Sequence, residues 1–339
     1  MPRKGRQGTY HRERRCQSHV DKKPRGLFDT YASYVASAGE GTVARSDGKQ
    51  TGTMATRVAL VTGGNKGIGF EIAKALAAQG LTVVLGSRDA LRGEQAAASL
   101  RAALGLQHVS AERLDLTDAG SWALCVAAIE AKHGRLDVLC NNAAICFNDP
   151  TLYGAVAHTP FEGQADITVR TNFTGTLGVT RACLPLLRAS PSPRVINLAS
   201  SAGRLSILSS KSPEKAAAVA APGLTLAALE GLLAAFVADV QAGVHASRGW
   251  PGTCYGMSKV GVIAMTRVFA RDEPTIMFNA VDPGYCATDQ NSNQGTLSAA
   301  TGAQTPAALA CLEVGEGGGG FRTGRFFSHT GDEIDWLQT

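Results

Sequence analysis

The stretch "RVALVTGGNKGIGFEIAKALAAQG", residues 57–80, decides the fold of this chain. It opens with a short run of apolar and β-branched residues and ends with apolar residues at helical spacing up to Gly80. Between them lies a turn with Gly63, Gly67 and Gly69 in a T-G-x-x-x-G-x-G arrangement. The pattern predicts a strand, a tight glycine turn and a helix. Such a turn lets a phosphate group approach the helix N-terminus, where free N–H groups and the helix dipole favour anions.

The alternation of strand and helix patterns continues along the chain. Further strand patterns lie at 81–87, 108–116, 135–144, 193–201 and 275–284, and helical patterns at 89–104, 118–133, 164–189 and 254–272. Strands that alternate with helices imply parallel pairing through right-handed crossovers. We therefore predict an α/β fold, a doubly wound parallel sheet of the Rossmann type, in a single domain over residues 54–339. Ligands bind such sheets at the carboxyl ends of the strands.

The composition is that of a globular protein. The 339 residues are 44% apolar, which is enough for a core. Eight cysteines form no C-x-x-C pair and seven histidines show no ligand spacing, so we expect reduced thiols, a cytoplasmic location and no metal site. The most apolar later stretch, 216–240, is interrupted by charged residues, proline and glycine, and we expect no membrane span.

The net charge of +5 is concentrated at the N-terminus. Residues 1–53 hold 11 Lys and Arg against 5 Asp and Glu, whereas the residues from 54 onward hold 22 against 23, a balance of −1. This balance argues against a nucleic-acid-binding protein. Because residues 1–53 lack apolar periodicity and an apolar signal core, we expect a disordered basic leader. It is a transit peptide for an organelle, a basic tail, or sequence upstream of a start at Met54.

Two cations point to the identity of a nucleotide cofactor. NAD enzymes of this fold carry an acid about 20 residues past the glycine turn, where it bonds the ribose hydroxyls. Here the stretch "GSRD" places Arg88 at that point. Together with Lys66 from the glycine turn, Arg88 could hold a 2′-phosphate, for which a guanidinium fork is well suited. We therefore predict NADP(H), while Asp89 leaves NAD open.

Polar residues also follow the third and fourth strands. Asp115 either receives the adenine end of a nucleotide or caps the following helix. Asn141 and Asn142 need hydrogen-bond partners if they are buried, so they either bind the cofactor or lock neighbouring strands.

A tyrosine and a lysine lie four residues apart in "TCYGMSKVGV", residues 253–262. On a helix such residues are neighbours, about 5–6 Å apart between Cβ atoms, so Tyr255 and Lys259 can share one pocket. A nearby positive charge favours phenolate and lowers a tyrosine pKa from about 10. We therefore expect Tyr255 to exchange protons near neutral pH.

Six ordered motifs resemble those of the short-chain dehydrogenase/reductases: TGGNKGIG, LDVLCNNAA, TNFTGT, VINLASSAG, YGMSK and DPGYCATD. The resemblance covers nearly all of residues 54–339. Within the family the chain is most similar to the carbonyl reductases and their menthol-type and salutaridine-type plant relatives. These share a long segment between the catalytic serine and tyrosine, and here 54 positions separate Ser201 from Tyr255. We expect a helical insertion at about 205–250.

The resemblance implies NADPH-dependent reduction of a small carbonyl compound, a ketone, aldehyde or quinone, to an alcohol. It makes Tyr255 the general acid, Lys259 its pKa-lowering partner and ribose anchor, and Ser201 the donor to the substrate carbonyl. Asn172 would hold a water that relays protons to Lys259, and Thr288 would contact the nicotinamide carboxamide. The cofactor-binding set is Gly63, Asn65, Lys66, Gly67, Ile68, Gly69, Arg88, Asp115, Leu116, Asn142, Tyr255, Lys259, Pro283, Gly284 and Thr288. An alcohol dehydrogenase working in the oxidative direction and a catalytically idle NADP-binding regulator remain alternatives.

The insertion also predicts the oligomeric state. Apolar residues recur at helical spacing in "TLAALEGLLAAFVADVQAGVH", residues 225–245. If this stripe packs on its own domain, it covers the surface that a second subunit needs and avoids the entropy cost of association. We therefore expect a monomer, and carbonyl reductases with this long segment are typically monomeric.

Overall fold

The computed structural model describes residues 56–147, 159–312 and 322–339. The predicted leader at 1–53 lies outside the described residues. The strands are β1 (Val58–Thr62), β2 (Thr82–Ser87), β3 (Val109–Arg113), β4 (Val138–Asn141), β5 (Arg194–Leu198), β6 (Met277–Val281), β7 (Arg325–Phe327) and β8 (Glu333–Ile334). The helices are α1 (Gly67–Ala78), α2 (Ala90–Leu104), α3 (Ala119–His133), α4 (Phe161–Val169), α5 (Thr176–Arg188), α6 (Ser206–Ser209), α7 (Pro213–Ala220), α8 (Leu226–Gln241), α9 (Cys254–Asp272) and α10 (Ala299–Cys311).

The strands form one sheet in the order β3-β2-β1-β4-β5-β6-β7-β8. All neighbours pair in parallel except β7 and β8, which are antiparallel. Strands β1, β4, β5 and β6 are buried along their whole length, as a parallel sheet covered on both faces requires. The predicted doubly wound Rossmann sheet is confirmed. Its strand order reverses between β1 and β4, which opens a crevice at their carboxyl ends.

Each face of the sheet carries its own apolar layer. Successive side chains of a strand point to opposite faces, so Leu60 of β1 joins one layer while Ala59 and Val61 join the other. The second layer contains Ile72 of α1 and Leu309 of α10. The first layer contains side chains of α3, α5, α8 and α9. The two layers hold the sheet in place, and the turns that follow its strands lie together at its carboxyl edge.

The predicted helix at 164–189 is interrupted in the structure. Helix α4 ends at Val169, a π-helical turn follows at Arg170–Gly175, and α5 continues from Thr176. The turn contains Asn172, whose side chain is buried. Turns of this kind are rare and frequently mark functional sites.

The predicted insertion consists of α6, α7 and α8, between β5 and α9. Helix α8 packs against α4 and α9. Its predicted stripe is buried at Leu229, Leu233, Phe236 and Val240 and partly buried at Leu226, Leu232 and Val237. A Cβ atom on Gly261 of α9 would lie only 2.6 Å from a Leu233 methyl carbon, so these helices need glycine there to pack this closely. The insertion therefore buries its apolar stripe against its own chain.

Elements near the C-terminus were not predicted. Helix α10 is built from small residues with Pro306 inside it, and β7 has only three residues. Within the ranges that the structure describes, no helix is both long and apolar enough to cross a membrane. The same residues contain no group of three or more His, Cys, Asp or Glu side chains that could hold a metal ion.

Candidate active site

The glycine turn after β1 is shaped to receive an anionic group. Gly63 and Gly67 adopt left-handed backbone conformations with φ of 65° and 57°. A Cβ atom on Gly69 would overlap the Gly63 carbonyl oxygen and the Asn142 amide. Among the described residues, no side chain caps the N-terminus of α1, and its first turn has no acidic residue. The first turn of a helix leaves backbone N–H groups without intrahelical acceptors, and this suits an anionic group.

The two asparagines at the end of β4 lock the sheet together. The Asn142 amide donates to the backbone oxygens of Thr62 and Gly63, at 2.9 and 3.3 Å, and its backbone N–H donates to Thr62 Oγ1. Asn141 Nδ2 donates to Thr180 Oγ1 and Asn197 Oδ1. The sequence left two roles open for these asparagines, binding the cofactor or locking neighbouring strands, and these contacts are of the second kind. Asn142 holds the glycine turn in place.

The end of the crevice beyond β2 and β3 carries the predicted cofactor-selecting residues. Arg88 is exposed directly after β2, and Asp89 caps α2 by accepting from Arg92 N at 3.0 Å. Asp115 accepts from Thr117 in its own turn, so it stabilises that turn and does not cap α3.

Lys66 is not a free cation in this structure. Its ammonium pairs with Asp289 at 2.9 Å, and both side chains are more than half exposed. Thr288 also lies against this turn, since a Cβ atom on Gly67 would be 3.5 Å from its methyl carbon. The turns after β1 and β6 therefore meet across the crevice. Of the other predicted cofactor residues, Ile68 lies in the first turn of α1, and the rest lie in the turns after β1, β3 and β6: Asn65, Leu116, Pro283 and Gly284.

Tyr255 and Lys259 lie in the first turns of α9, which Thr253 caps by accepting from Gly256 N at 2.9 Å. Lys259 is buried, and its ammonium donates to the backbone oxygen of Leu198 at 2.7 Å. The same ammonium lies 5.5 Å from the centre of the Tyr255 ring. The predicted juxtaposition of phenol and ammonium is present, and the end of β5 anchors it.

The titration of Tyr255 differs from our expectation. Burial raises the pKa of its phenol, Cys146 and Asp282 raise it further, and hydrogen bonds with Ser200 and Gln290 oppose this. Burial also lowers the pKa of Lys259 to about 8. The prediction of a tyrosine that titrates near neutral pH is therefore wrong, because the shared pocket disfavours charge on both groups. At neutral pH Tyr255 is a protonated phenol with a proton to donate.

The serine that hydrogen-bonds with Tyr255 is Ser200, the neighbour of the predicted carbonyl donor Ser201. Ser200 has an extended backbone, with φ of −173° and ψ of 155°, and its hydroxyl hydrogen-bonds with the Tyr255 phenol. Ser201 begins the following 3₁₀ turn and is exposed. The extended backbone at Ser200 brings its hydroxyl to Tyr255, whereas the chain direction changes at Ser201, where the 3₁₀ turn begins. The motif contained both serines, but only this direction of the chain distinguishes them.

The turn after Ser200 is fixed against α9 and against the C-terminal part of the chain. A Cβ atom on Gly203 would lie 2.8 Å from the backbone of Lys259. The indole N–H of Trp336 donates to the Gly203 carbonyl oxygen at 2.8 Å. Gly203 therefore has a packing role, which holds the serine turn near Tyr255.

Asn172 uses its whole side chain to connect two parts of the site. Its Oδ1 accepts from Ile145 N and its Nδ2 donates to Ile145 O, both at 2.8 Å. The same Nδ2 donates to Ser258 Oγ at 3.1 Å. The π-helical turn thus ties the segment after β4 to α9, next to Lys259.

This arrangement agrees with comparisons with known proteins. The family model described as short chain dehydrogenase matches residues 57–227. The chain belongs to the short-chain dehydrogenase family. It is 36% identical over 293 residues to a (+)-neomenthol dehydrogenase of Capsicum annuum, covering 77% of this chain and 93% of that protein. It is 39% identical over 268 residues to carbonyl reductase [NADPH] 1 of Rattus norvegicus, with the same coverage.

Solved structures of related short-chain dehydrogenases have the same fold. Salutaridine reductase from Papaver somniferum matches with a TM-score of 0.71 and 29% identity, covering 80% of this chain and 99% of that one. Menthone neomenthol reductase from Mentha piperita matches with a TM-score of 0.68 and 32% identity, covering 81% and 99%. The resemblance to carbonyl, menthol-type and salutaridine-type reductases is confirmed.

Two further side chains of this short-chain dehydrogenase border the site and were not predicted. Cys146, just after β4, influences the pKa of both Tyr255 and Lys259. Gln290, in the 3₁₀ turn Asp289–Asn291 after β6, hydrogen-bonds with the Tyr255 phenol through its side chain. No local pattern reveals the Gln290 contact, because it joins residues that only the fold brings together.

Proposed function

We propose that the protein reduces the carbonyl group of a ketone, aldehyde or quinone to an alcohol, with NADPH as the hydride source and Tyr255 as the proton donor. The observation that carries the proposal is the Tyr255 phenol, hydrogen-bonded to Ser200 and four residues from the buried Lys259 ammonium. The group lies at the carboxyl edge of the sheet, the edge that also carries the N-terminus of α1, where no side chain of the described residues forms a cap. The relatives called carbonyl reductase [NADPH] support the same reading.

The residues present fit a dinucleotide. The left-handed glycines of the turn, Gly63 and Gly67, and the open N-terminus of α1 suit a pyrophosphate. The exposed guanidinium of Arg88 suits a 2′-phosphate. Because the Asp89 carboxylate caps α2, it is turned to the helix rather than to a ribose hydroxyl. When bound, NADPH would supply a hydride to the carbonyl carbon.

The protein groups supply the proton and stabilise the developing charge. Ser200 Oγ and Tyr255 Oη would both donate to the carbonyl oxygen, and Tyr255 would give its proton to that oxygen. The Lys259 ammonium stabilises the phenolate that remains. Asn172 fixes the position of α9 through Ser258 and so keeps this ammonium in place.

The raised pKa of Tyr255 favours this direction of reaction at neutral pH. Oxidation of an alcohol needs the phenolate as a base, and burial disfavours that form. The rate of alcohol oxidation therefore increases relative to the rate of carbonyl reduction as pH rises.

We also propose that the enzyme is a cytoplasmic monomer acting on a small molecule. The described cysteines are all free thiols, which suits a reducing compartment. Helix α8 covers part of the α9 surface with its own apolar stripe, in the region through which a second subunit would pack.

The proposal is tested by supplying purified protein with NADPH and a panel of aldehydes, ketones and quinones, while NADPH fluorescence is followed. We expect reduction of at least one class, and loss of the rate in a Tyr255→Phe variant that still binds NADPH. NADPH binding without turnover on any class would instead favour the idle regulator.

A further inference from the structure

A small cavity lies beside the second half of α9, away from the catalytic tyrosine. Its walls are α9, the turn that joins α7 to α8, and Gly324 before β7, and its volume is about 190 Å³. Two arginines one helical turn apart, Arg267 and Arg271, line it. Arg267 follows Tyr255 on α9 at a distance of roughly 18 Å along the helix axis. The cavity is therefore separate from the proposed site of reaction.

The guanidinium of Arg271 is fully engaged with the protein. Its Nη1 donates to the backbone oxygens of Pro222 and Leu224, at 2.6 and 2.8 Å. Its Nε and Nη2 both donate to the Asp272 carboxylate, at 2.6 and 3.0 Å. Arg271 thus fixes the turn between α7 and α8 against α9, and its charge is neutralised by Asp272.

The guanidinium of Arg267 is engaged along one edge alone. Its Nη1 donates to the backbone oxygen of Ala220 at a long 3.5 Å, and its central carbon lies 5.6 Å from the centre of the Trp336 ring. Within the described residues, Nε and Nη2 of this half-buried side chain donate to no oxygen. One edge of the guanidinium, with two parallel N–H groups, is therefore left for a ligand.

The charge of Arg267 is also uncompensated. An arginine stays protonated in proteins, and Arg267 forms no ion pair with any carboxylate of the described ranges. Burial lowers the pKa of Arg267 and Asp335 opposes this, but the Asp335 carboxylate accepts from Leu337 N at 3.1 Å and caps its own turn. The cavity thus carries one positive charge that the protein does not pair.

A carboxylate is the group that fits this edge of the guanidinium. The Nε and Nη2 donors match the two oxygens of a carboxylate in a bidentate pair. A single unpaired positive charge suits a monoanion, and the nearby carboxylates of Asp272 and Asp335 repel a dianion such as phosphate more strongly.

The remaining walls of the cavity suit a hydrocarbon chain. Leu224, Ala264 and Val268 present apolar side chains to it. A volume of 190 Å³ holds about six groups of the size of a water molecule. The ligand that fills both parts of the cavity is a carboxylate with a short alkyl chain, of the size of butanoate.

We propose that this cavity is a binding site for a short-chain monocarboxylate, with the carboxylate on Nε and Nη2 of Arg267 and the alkyl chain against Leu224 and Val268. The site does not depend on carbonyl reduction. Because the guanidinium lies over the Trp336 ring, a carboxylate bound here changes the surroundings of that indole. The indole N–H donates to Gly203 in the serine turn, so the site is connected to the reaction site through one side chain.

The test follows the indole N–H signals of the full chain by NMR while sodium butanoate replaces sodium chloride at constant ionic strength. The chain has three tryptophans, and Trp122 and Trp250 are internal references because their N–H groups donate to oxygens elsewhere in the fold. We expect the Trp336 signal to shift and saturate while the other two stay in place. The Trp336→Phe variant identifies the signal by its loss.

Two substitutions test the bidentate pair. Arg267→Lys keeps the positive charge but lacks the two parallel donors, and Ala221→Glu places a carboxylate of the chain itself at the half-buried wall of the cavity. Each should weaken butanoate binding about 10- to 100-fold, the range for charge-assisted hydrogen bonds. Arg248→Lys is the matched control, because Arg248 is an exposed arginine of the insertion outside the cavity. It should leave binding unchanged, and unaltered Trp122 and Trp250 signals show that each variant is folded.

Butanamide and inorganic phosphate test the chemical class of the ligand. Butanamide has the size of butanoate without its charge, so it should leave the Trp336 signal in place, and phosphate should bind more weakly than butanoate. The inference is overturned by the absence of a saturable shift with butanoate, by an equal shift with butanamide, by tighter binding of phosphate, or by undiminished binding in Arg267→Lys and Ala221→Glu. The measurement needs no turnover, so its outcome and that of the carbonyl panel are independent.

Discussion

Replacing Ser200 by alanine should lower kcat/KM for carbonyl reduction by about 10²- to 10³-fold, the usual effect of removing one preorganised donor to a developing oxyanion. The structure also assigns Ser200 a smaller, separate task. Its Oγ accepts from Ala202 N at 3.1 Å and caps the following turn. Loss of such a cap costs about 1 kcal/mol of stability, so Ser200→Ala should also unfold at slightly lower denaturant concentration.

The neighbouring serine provides the matched control. Ser201 is exposed, and the hydroxyl that bonds Tyr255 is that of Ser200. Ser201→Ala should therefore change kcat/KM by less than about threefold, within the range of a surface substitution. Steady-state rates, NADPH binding followed by tryptophan fluorescence, and urea unfolding are measured for both variants and the wild type.

The pattern of losses decides between the two serines. If Ser200→Ala loses turnover while it binds NADPH normally, the hydroxyl acts on the reacting carbonyl. A larger loss in Ser201→Ala than in Ser200→Ala would refute the reasoning from chain direction, and a loss that follows stability alone would leave Ser200 only its capping role.

Four other outcomes are expected. Tyr255→Phe should reduce turnover by about 10²- to 10⁴-fold with little change in NADPH binding, and a variant that keeps a tenth of the wild-type rate contradicts its role as the acid. Arg88→Ala should raise KM for NADPH far more than KM for NADH, because only NADPH loses a charge-assisted pair, and an equal rise for both would make Arg88 a surface cation. The rate of reduction should fall as pH rises through about 8, where Lys259 loses its charge. A rate that falls only above pH 10 would show that a group other than Lys259 controls this pH dependence. Light scattering on residues 54–339 should give the mass of one chain at micromolar concentration, and twice that mass would refute the shielding by α8.

The positions and parallel pairing of β1 to β6 followed from the sequence because each strand is a short apolar run bounded by turn residues. The chain from 57 to 80 shows this clearly, since the predicted strand, turn and helix match β1, the Gly63–Lys66 turn and α1. The same rules fail for α10, in which small residues and Pro306 give a weak helical pattern. They also fail for β7, which is too short to show alternation.

The candidate site was predicted less completely than the fold, for three physical reasons. The pairing of Tyr255 and Lys259 follows from helical spacing, but the direction of the tyrosine pKa depends on burial, which spacing does not contain. Ser200 and Ser201 are equivalent as residue types, and only the backbone direction after β5 separates them. Gln290 reaches Tyr255 from another element altogether, so no motif around either residue contains that contact.

The hydrogen bond from Trp336 to Gly203 joins residues 133 positions apart. As the chain leaves the ribosome, the glycine turn, α9 and most of the sheet are therefore available before the serine turn receives this support. Contacts between such distant residues form slowly, because a long loop must close first. A nascent chain halted before residue 336 would hold the serine turn through its packing on α9 alone, without the hydrogen bond from Trp336.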